Sequence, residues 1–334
     1  MIGNEPELGV AENYRRFSST EARGRSPLYE ELTAAVADDP ELLAFLEALP
    51  PAKRQPNLLL ATVRFLAGVQ PDHASFREVV LGRRDEVATT MIARRTQTNE
   101  PARCATLLPA LAAIDGPLAL LEVGASAGLC LLPDRYGYSY RRAGEEVVRI
   151  EGAPLLPCDV LGPAPIPTAA PSVAWRAGID LDPLDVADPE DLRWLECLVW
   201  PGQPGRAERL RAAAEVAPAD PPRVVPGDLV DELPALAAQA PKDATLVVYH
   251  SAVLTYLPAE RRRAFAAAVG ELDAVWLASE APSVLADLSS PPPTDLPDPP
   301  PGPPPFLLAR DGHDPVAWVD GHGAWLQWLG PDTG

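Results

Sequence analysis

A chain of 334 residues, 47% hydrophobic and 22% charged, has globular composition and length for about two domains, which excludes disorder throughout. Acidic residues outnumber basic ones 47 to 28, and the net charge of −19 repels phosphate backbones and anionic lipid, arguing against nucleic-acid and membrane partners. The 4 cysteines form no C-x-x-C pair, no metal-like spacing is present, and the N-terminus lacks a basic and apolar leader, so the expectation is a cytoplasmic protein without disulfides or metal.

Residues 1–112 read as a helical region. Leu42, Leu43, Phe45, Leu46 and Leu49 mark one amphipathic face, with Asp38 or Asp39 as its cap. Asn57 caps a helix through Leu66, Ser75–Leu81 and Val87–Arg95 are further helices, and Asn99 caps one over Ala102–Ala113. From residue 113 the pattern changes to α/β. Leu118–Val123 is a continuous apolar run, as in a strand buried on both faces, and a short apolar helix to Leu132 follows its glycine-containing turn. An insertion over 131–172 holds a hairpin, Tyr136–Tyr140 with Val147–Ile150, and an irregular proline-rich loop over 152–171. Then strands at Val173–Asp180, Arg223–Pro226, Thr245–Tyr249 and Ala274–Ala278 alternate with helices at Pro189–Val199, Arg206–Val216, Leu229–Ala240 and Ala259–Val269. Residues 291–305 hold 10 prolines in 15 positions, an exposed linker of polyproline type, and Phe306–Ala309, Trp318 and Ala324–Trp328 supply closing strands. This alternation predicts a mostly parallel, Rossmann-like sheet with helices on both faces, preceded by the helical region.

The first strand leads into Glu122-Val123-Gly124-Ala125-Ser126-Ala127-Gly128. At a strand-to-helix turn, small residues let a ligand approach the backbone, and the helix N-terminus offers free N–H groups. A dinucleotide fingerprint needs glycines at 124, 126 and 129, and Ser126 and Leu129 break it. Glu122, Gly124 and Gly128 instead resemble the first motif of class I S-adenosylmethionine-dependent methyltransferases, with Ser126 in place of the middle glycine. Gly178-Ile179-Asp180 and Pro226-Gly227-Asp228-Leu229 resemble the ends of that family's second and third strands. The resemblance covers about residues 117–285. It implies S-adenosylmethionine as cofactor. Gly124, Ala125, Ser126 and Gly128 would hold its methionine part, Asp180 its ribose and Asp228 its adenine, with Glu122 and Leu229 also among the cofactor-binding residues. Glu151 competes with Asp180 for the ribose, because the insertion makes the first interval long. The chain as a whole also resembles an uncharacterised, mostly actinobacterial family. Gln55–Leu58, Gln97–Glu100, Leu121–Leu129, Ala174–Asp185, Leu198–Pro201 and His250–Leu257 carry that likeness, which brings no activity with it.

His250 follows the fourth strand of the parallel set, where ligands of open α/β sheets bind. It is the candidate base for a small-molecule O- or N-nucleophile, or else an orienting contact to the cofactor. Glu280 ends the fifth strand and is the second catalytic candidate, with a solvated or capping carboxylate as the alternative. Ser251, Tyr256, Trp200 and Gln203 are candidates for the substrate pocket, and Gln97 and Asn99 for a lid, with packing and capping as their plainer roles. Arg94, Arg95 and Arg103 read as a solvated basic face, with an anion-facing patch as the alternative. The expectation is a methyltransferase acting on a small molecule. Three alternatives stand beside it: a non-catalytic binding or regulatory protein of the same fold, a nicotinamide-dependent oxidoreductase, and an interaction protein using the proline run.

Overall fold

The structure is a computed structural model and describes residues 9–288 and 298–329. Six helices come first: α1 (Val10–Arg16), α2 (Pro27–Ala37), α3 (Pro40–Glu47), α4 (Pro56–Ala67), α5 (His73–Gly82) and α6 (Arg84–Ala93). A π-helical turn at Phe17–Ala22 follows α1. Next come α7 (Arg103–Ala112), β1 (Leu118–Val123), β2 (Gly137–Arg142), β3 (Glu145–Ile150), β4 (Leu155–Leu161) and β5 (Val173–Asp180). The chain continues through α8 (Pro189–Leu198), α9 (Pro204–Val216), β6 (Arg223–Pro226), α10 (Leu229–Ala237), β7 (Thr245–Ser251), α11 (Ala259–Gly270), β8 (Val275–Glu280) and α12 (Pro282–Ala286). It closes with β9 (Phe306–Arg310), β10 (Asp314–Val319) and β11 (Trp325–Trp328). Among the described residues no helix is long and apolar enough to cross a membrane.

The chain divides into two compact units. One is Met1–Thr98 with Asp188–Ala207; the other is Asn99–Ala187 with Glu208–Gly334. In the first, Asp39 caps α3 by accepting the N–H groups of Glu41 (3.0 Å) and Leu42 (3.1 Å). Asp188 caps α8 through the N–H of Glu190. Asn57 is not a cap. It lies inside α4, and its Oδ1 accepts from Trp200 Nε1 at 2.9 Å. The Trp200 ring packs against Phe17 and Tyr29.

The second unit is built on one mixed sheet in the order β3-β2-β4-β11-β10-β9-β8-β7-β1-β5-β6. Five neighbouring strands, β8, β7, β1, β5 and β6, are mutually parallel. Within this parallel set, β5 and β6 lie on one side of β1, and β7 and β8, which come later in the chain, lie on the other. The order therefore reverses at β1/β7, the place where open α/β sheets leave a crevice beyond their carboxyl ends. All six residues of β1 are buried, five of them apolar and the sixth Glu122. Leu121, Val123, Ile179, Val248 and Ala278 form one core face with Leu233 and Leu236 of α10, Phe265 and Val269 of α11, and Val284 of α12. The other strand phase carries Glu122.

Two expectations change here. The proline-rich stretch over 152–171 is not all loop, because it contains β4, whose Leu156, Cys158 and Val160 alternate into the interior. The apolar helix after Gly128 is a single 3-10 turn, Leu129–Leu131. From there the chain runs to the far edge of the sheet, builds β2, β3 and β4, and returns as β5. Positions 291–297 of the proline-rich linker lie outside the described residues, and 298–305 form neither helix nor strand.

Candidate functional site

The turn after β1 has Gly124, Ser126 and Gly128 at φ +69°, +54° and +73°. Left-handed backbone suits glycine and strains serine, so Ser126 must be held in place. Its N–H donates to Asp180 Oδ2 at 2.8 Å. The N–H groups of Gly124 and Ala125 both donate to Ile179 O, and that of Gly128 to Ala125 O. The turn was expected to offer free N–H groups to a ligand. These donors are instead spent inside the protein, because β5 lies alongside and the helix that would have aligned them is one 3-10 turn. The glycines likewise make room for protein atoms. A Cβ on Gly124 would strike the Val253 side chain, and one on Gly128 would lie 2.7 Å from Pro222 Cγ.

Three carboxylates stand at or just beyond the carboxyl ends of β1, β5 and β6. Glu122 lies between Gly178 of β5 and Tyr249 of β7. It is 5% exposed, and its Oε2 has no hydrogen-bond partner among the described residues. Burial, with Cys130 and Asp180 nearby, pushes its carboxyl well above the ordinary carboxylate range, while Arg103 pulls the other way. Asp180 is also buried, and its Oδ1 accepts the N–H of Asp182 at 3.0 Å. Asp228 caps α10 through the N–H of Val230 and pairs with Arg261 of α11, both bonds falling on Oδ1. Leu229 turns its side chain into the core beneath α10.

The segment after Gly128 keeps an irregular path because side chains satisfy its backbone. Asn99 Oδ1 accepts the N–H of Leu129 at 2.9 Å, so Asn99 clamps this segment and does not cap α7. Tyr136, Tyr249, Arg176 and Tyr138 donate to the carbonyls of Leu129, Cys130, Leu131 and Pro133. All four cysteines are free and buried. A hydrogen bond with Cys104, then burial, pushes the Cys130 thiol up, which leaves it a poor nucleophile.

His250 and Glu280 are brought together, each fully buried. Trp276 Nε1 donates to His250 Nε2 at 3.0 Å, which makes Nε2 the acceptor nitrogen and leaves the ring proton on Nδ1. Nδ1 donates that proton to Glu280 Oε1 at 2.8 Å, and the same oxygen accepts the N–H groups of Val253 and Leu254. With both ring nitrogens engaged, His250 has no lone pair with which to take a substrate proton. Through Glu280 the pair holds the turn after β7, where Ala252 sits at φ +59° and Val253 covers Gly124.

The sequence reading missed Arg103 as a buried group. It opens α7, is 7% exposed, and donates to Gly321 O (3.0 Å) and Ser251 O (3.3 Å). It is the only basic residue between Arg95 and Arg135, in an otherwise apolar stretch, and that isolation was the available signal. Ser251 serves the site through its carbonyl, and Tyr256 is exposed. Gln97, Trp200 and Gln203 belong to the first unit, where Gln203 Oε1 accepts from Arg206.

No curated protein matches the chain. A family model described as "Uncharacterized protein conserved in bacteria (DUF2332)" matches residues 11–328, nearly the whole chain, and the protein belongs to that family.

Proposed function

We propose that this protein binds S-adenosylmethionine at the carboxyl ends of β1, β5 and β6 and directs its methyl group to a small-molecule O- or N-nucleophile. The observation that carries the reading is Glu122 Oε2, a buried acceptor without a donor, at the β1 end of the sheet's reversal point. Leaving such an atom unpaired costs about 1–3 kcal/mol, so a ligand donor reaching it would be favoured. The methionine ammonium is such a donor, and its charge would draw Glu122 back to the ionised form. Asp180 and Asp228 follow at the ends of the next two strands, in the order that suits ribose and then adenine. A carboxylate suits a vicinal diol because it accepts from both hydroxyls. These groups would meet the cofactor through side chains, while the N–H groups of Gly124, Ala125, Ser126 and Gly128 are taken by protein acceptors.

When bound, the sulfonium supplies an activated methyl group, and the protein's part is to hold donor and acceptor in line. His250 is not assigned a proton-transfer role. That commitment of both its ring nitrogens favours a second reading, a protein that binds the cofactor without turning it over. Equilibrium dialysis against S-adenosylmethionine, S-adenosylhomocysteine and NAD, followed by a search for methylated product, tests the proposal. Retention of both adenosyl ligands with a methylated product supports it, and retention without product selects the second reading. Retention of NAD alone, or of nothing, overturns both.

A further inference from the structure

Arg103 is a buried guanidinium whose hydrogen bonds go to two neutral carbonyls, Gly321 O and Ser251 O. Among the described residues no carboxylate forms an ion pair with it. Glu122 is near enough to feel its charge, yet its Oε2 remains without a hydrogen-bond partner. A buried guanidinium and a buried carboxyl thus share one place without a hydrogen bond between them. A buried charge is costly unless it is paired and hydrogen-bonded, so this separation calls for something that meets both. The two carbonyls hold the guanidinium from the ends of other elements, β7 and the β10–β11 turn.

We infer that Arg103 and Glu122 together form a receptor for a zwitterionic amino-acid group, with Arg103 taking the carboxylate and Glu122 the ammonium. This rests on the adenosyl-cofactor reading and deepens it, because it says which end of the ligand is read most closely. The turn after β1 strengthens the assignment. At strand-to-helix turns a ligand carboxylate is normally met by free backbone N–H groups. Here the N–H groups of Gly124, Ala125, Ser126 and Gly128 already have protein acceptors, and that of Leu129 is taken by Asn99. The Arg103 guanidinium is a cationic donor beside Glu122, and its planar fork matches a carboxylate. No bond is made or broken in this step; the ligand only exchanges hydration for two charge-assisted contacts. The specificity that follows is for the intact amino-acid end, with the nucleoside end giving a weaker, separate contribution.

The test compares three ligands by calorimetry on the full chain: S-adenosylhomocysteine, its decarboxylated analogue, and 5′-methylthioadenosine, which lacks the amino-acid group. Wild-type protein is expected to bind S-adenosylhomocysteine about 10- to 100-fold more tightly than the decarboxylated analogue, the range of a charge-assisted hydrogen bond. Arg103→Met is expected to lose that preference while 5′-methylthioadenosine binds it as it binds wild type, and Arg103→Lys to regain part of it. Equal wild-type affinity for the first two ligands overturns the inference and leaves the cofactor reading standing. So does undiminished preference in Arg103→Met. Absence of binding for all three overturns the cofactor reading and this inference with it. The wild-type comparison decides the matter even where the methionine variant does not fold.

Discussion

Glu122, proposed as a ligand contact, is held at the expense of stability. Its carboxyl stays protonated in the folded protein at pH values where it ionises in the unfolded chain, above about 4.5. Over that window the unfolded state binds fewer protons, so this residue makes stability fall as pH rises. Glu122→Gln removes that slope. Its expected effect is a gain of about 1–3 kcal/mol at pH 8, little change near pH 4.5, and loss of adenosyl-ligand binding. Thermal melts of both proteins at the two pH values read the difference, and a variant less stable than wild type at pH 8 would contradict the assignment. His250 is the contrasting case. Trp276→Phe leaves Nε2 without its donor and is expected to cost about 1–3 kcal/mol. His250→Ala, which also strips Glu280 of its side-chain partner, is expected to cost about 3–5 kcal/mol. Urea unfolding checks both, and a normally stable His250→Ala that still binds ligand but fails to methylate would restore the histidine to catalysis.

At the scale of elements, the turn after β1 is a left-handed backbone held by β5. Ser126→Gly relaxes the strain of a serine at positive φ and is expected to be neutral or stabilising by up to about 1 kcal/mol, whereas Ser126→Val is expected to lose more than 1 kcal/mol. Chemical denaturation of the pair reads this, and equal stability would mean the turn is not held as described. Asn99→Ala removes the acceptor for Leu129 N–H, so amide exchange at Leu129 should accelerate while β1 stays protected. What was legible in the sequence at this scale follows burial. Leu118–Val123 could be read as a strand because both faces are covered. Tyr136–Tyr140 and Val147–Ile150 could be read as a hairpin because they alternate, and they become β2 and β3. β4 was hidden because Pro154 and Pro157 obscured the alternation of Leu156, Cys158 and Val160. The roles of Asn57 and Asn99 were hidden for another reason: capping is local, but both side chains are claimed by partners more than 25 positions away, Trp200 and Leu129.

For the whole molecule, the parallel strands and their helices were legible from alternating apolar runs. Their order in the sheet depends on pairings no local pattern contains, and the path from β1 to the far edge of the sheet is one of these. The candidate site divides the same way. Its carboxylates were visible as residues at strand ends, whereas Arg103's burial and the engagement of His250 by Trp276 and Glu280 depend on tertiary contacts. The net charge of −19 acts on the molecule as a unit. Raising the salt from 0.05 to 0.3 M shortens the screening length and weakens self-repulsion. The melting temperature is therefore expected to rise by about 2–4 °C, or roughly 1 kcal/mol, and a fall would mean that surface ion pairs outweigh repulsion. The central claim, that a ligand ammonium meets Glu122, is tested most directly by titrating the protein with S-adenosylhomocysteine over a pH series upward from about 4.5 in buffers of different ionisation enthalpy. The account predicts one ligand per chain and release of a proton as Glu122 ionises, with the release lost in Glu122→Gln; absence of binding, or binding without proton release, would contradict it.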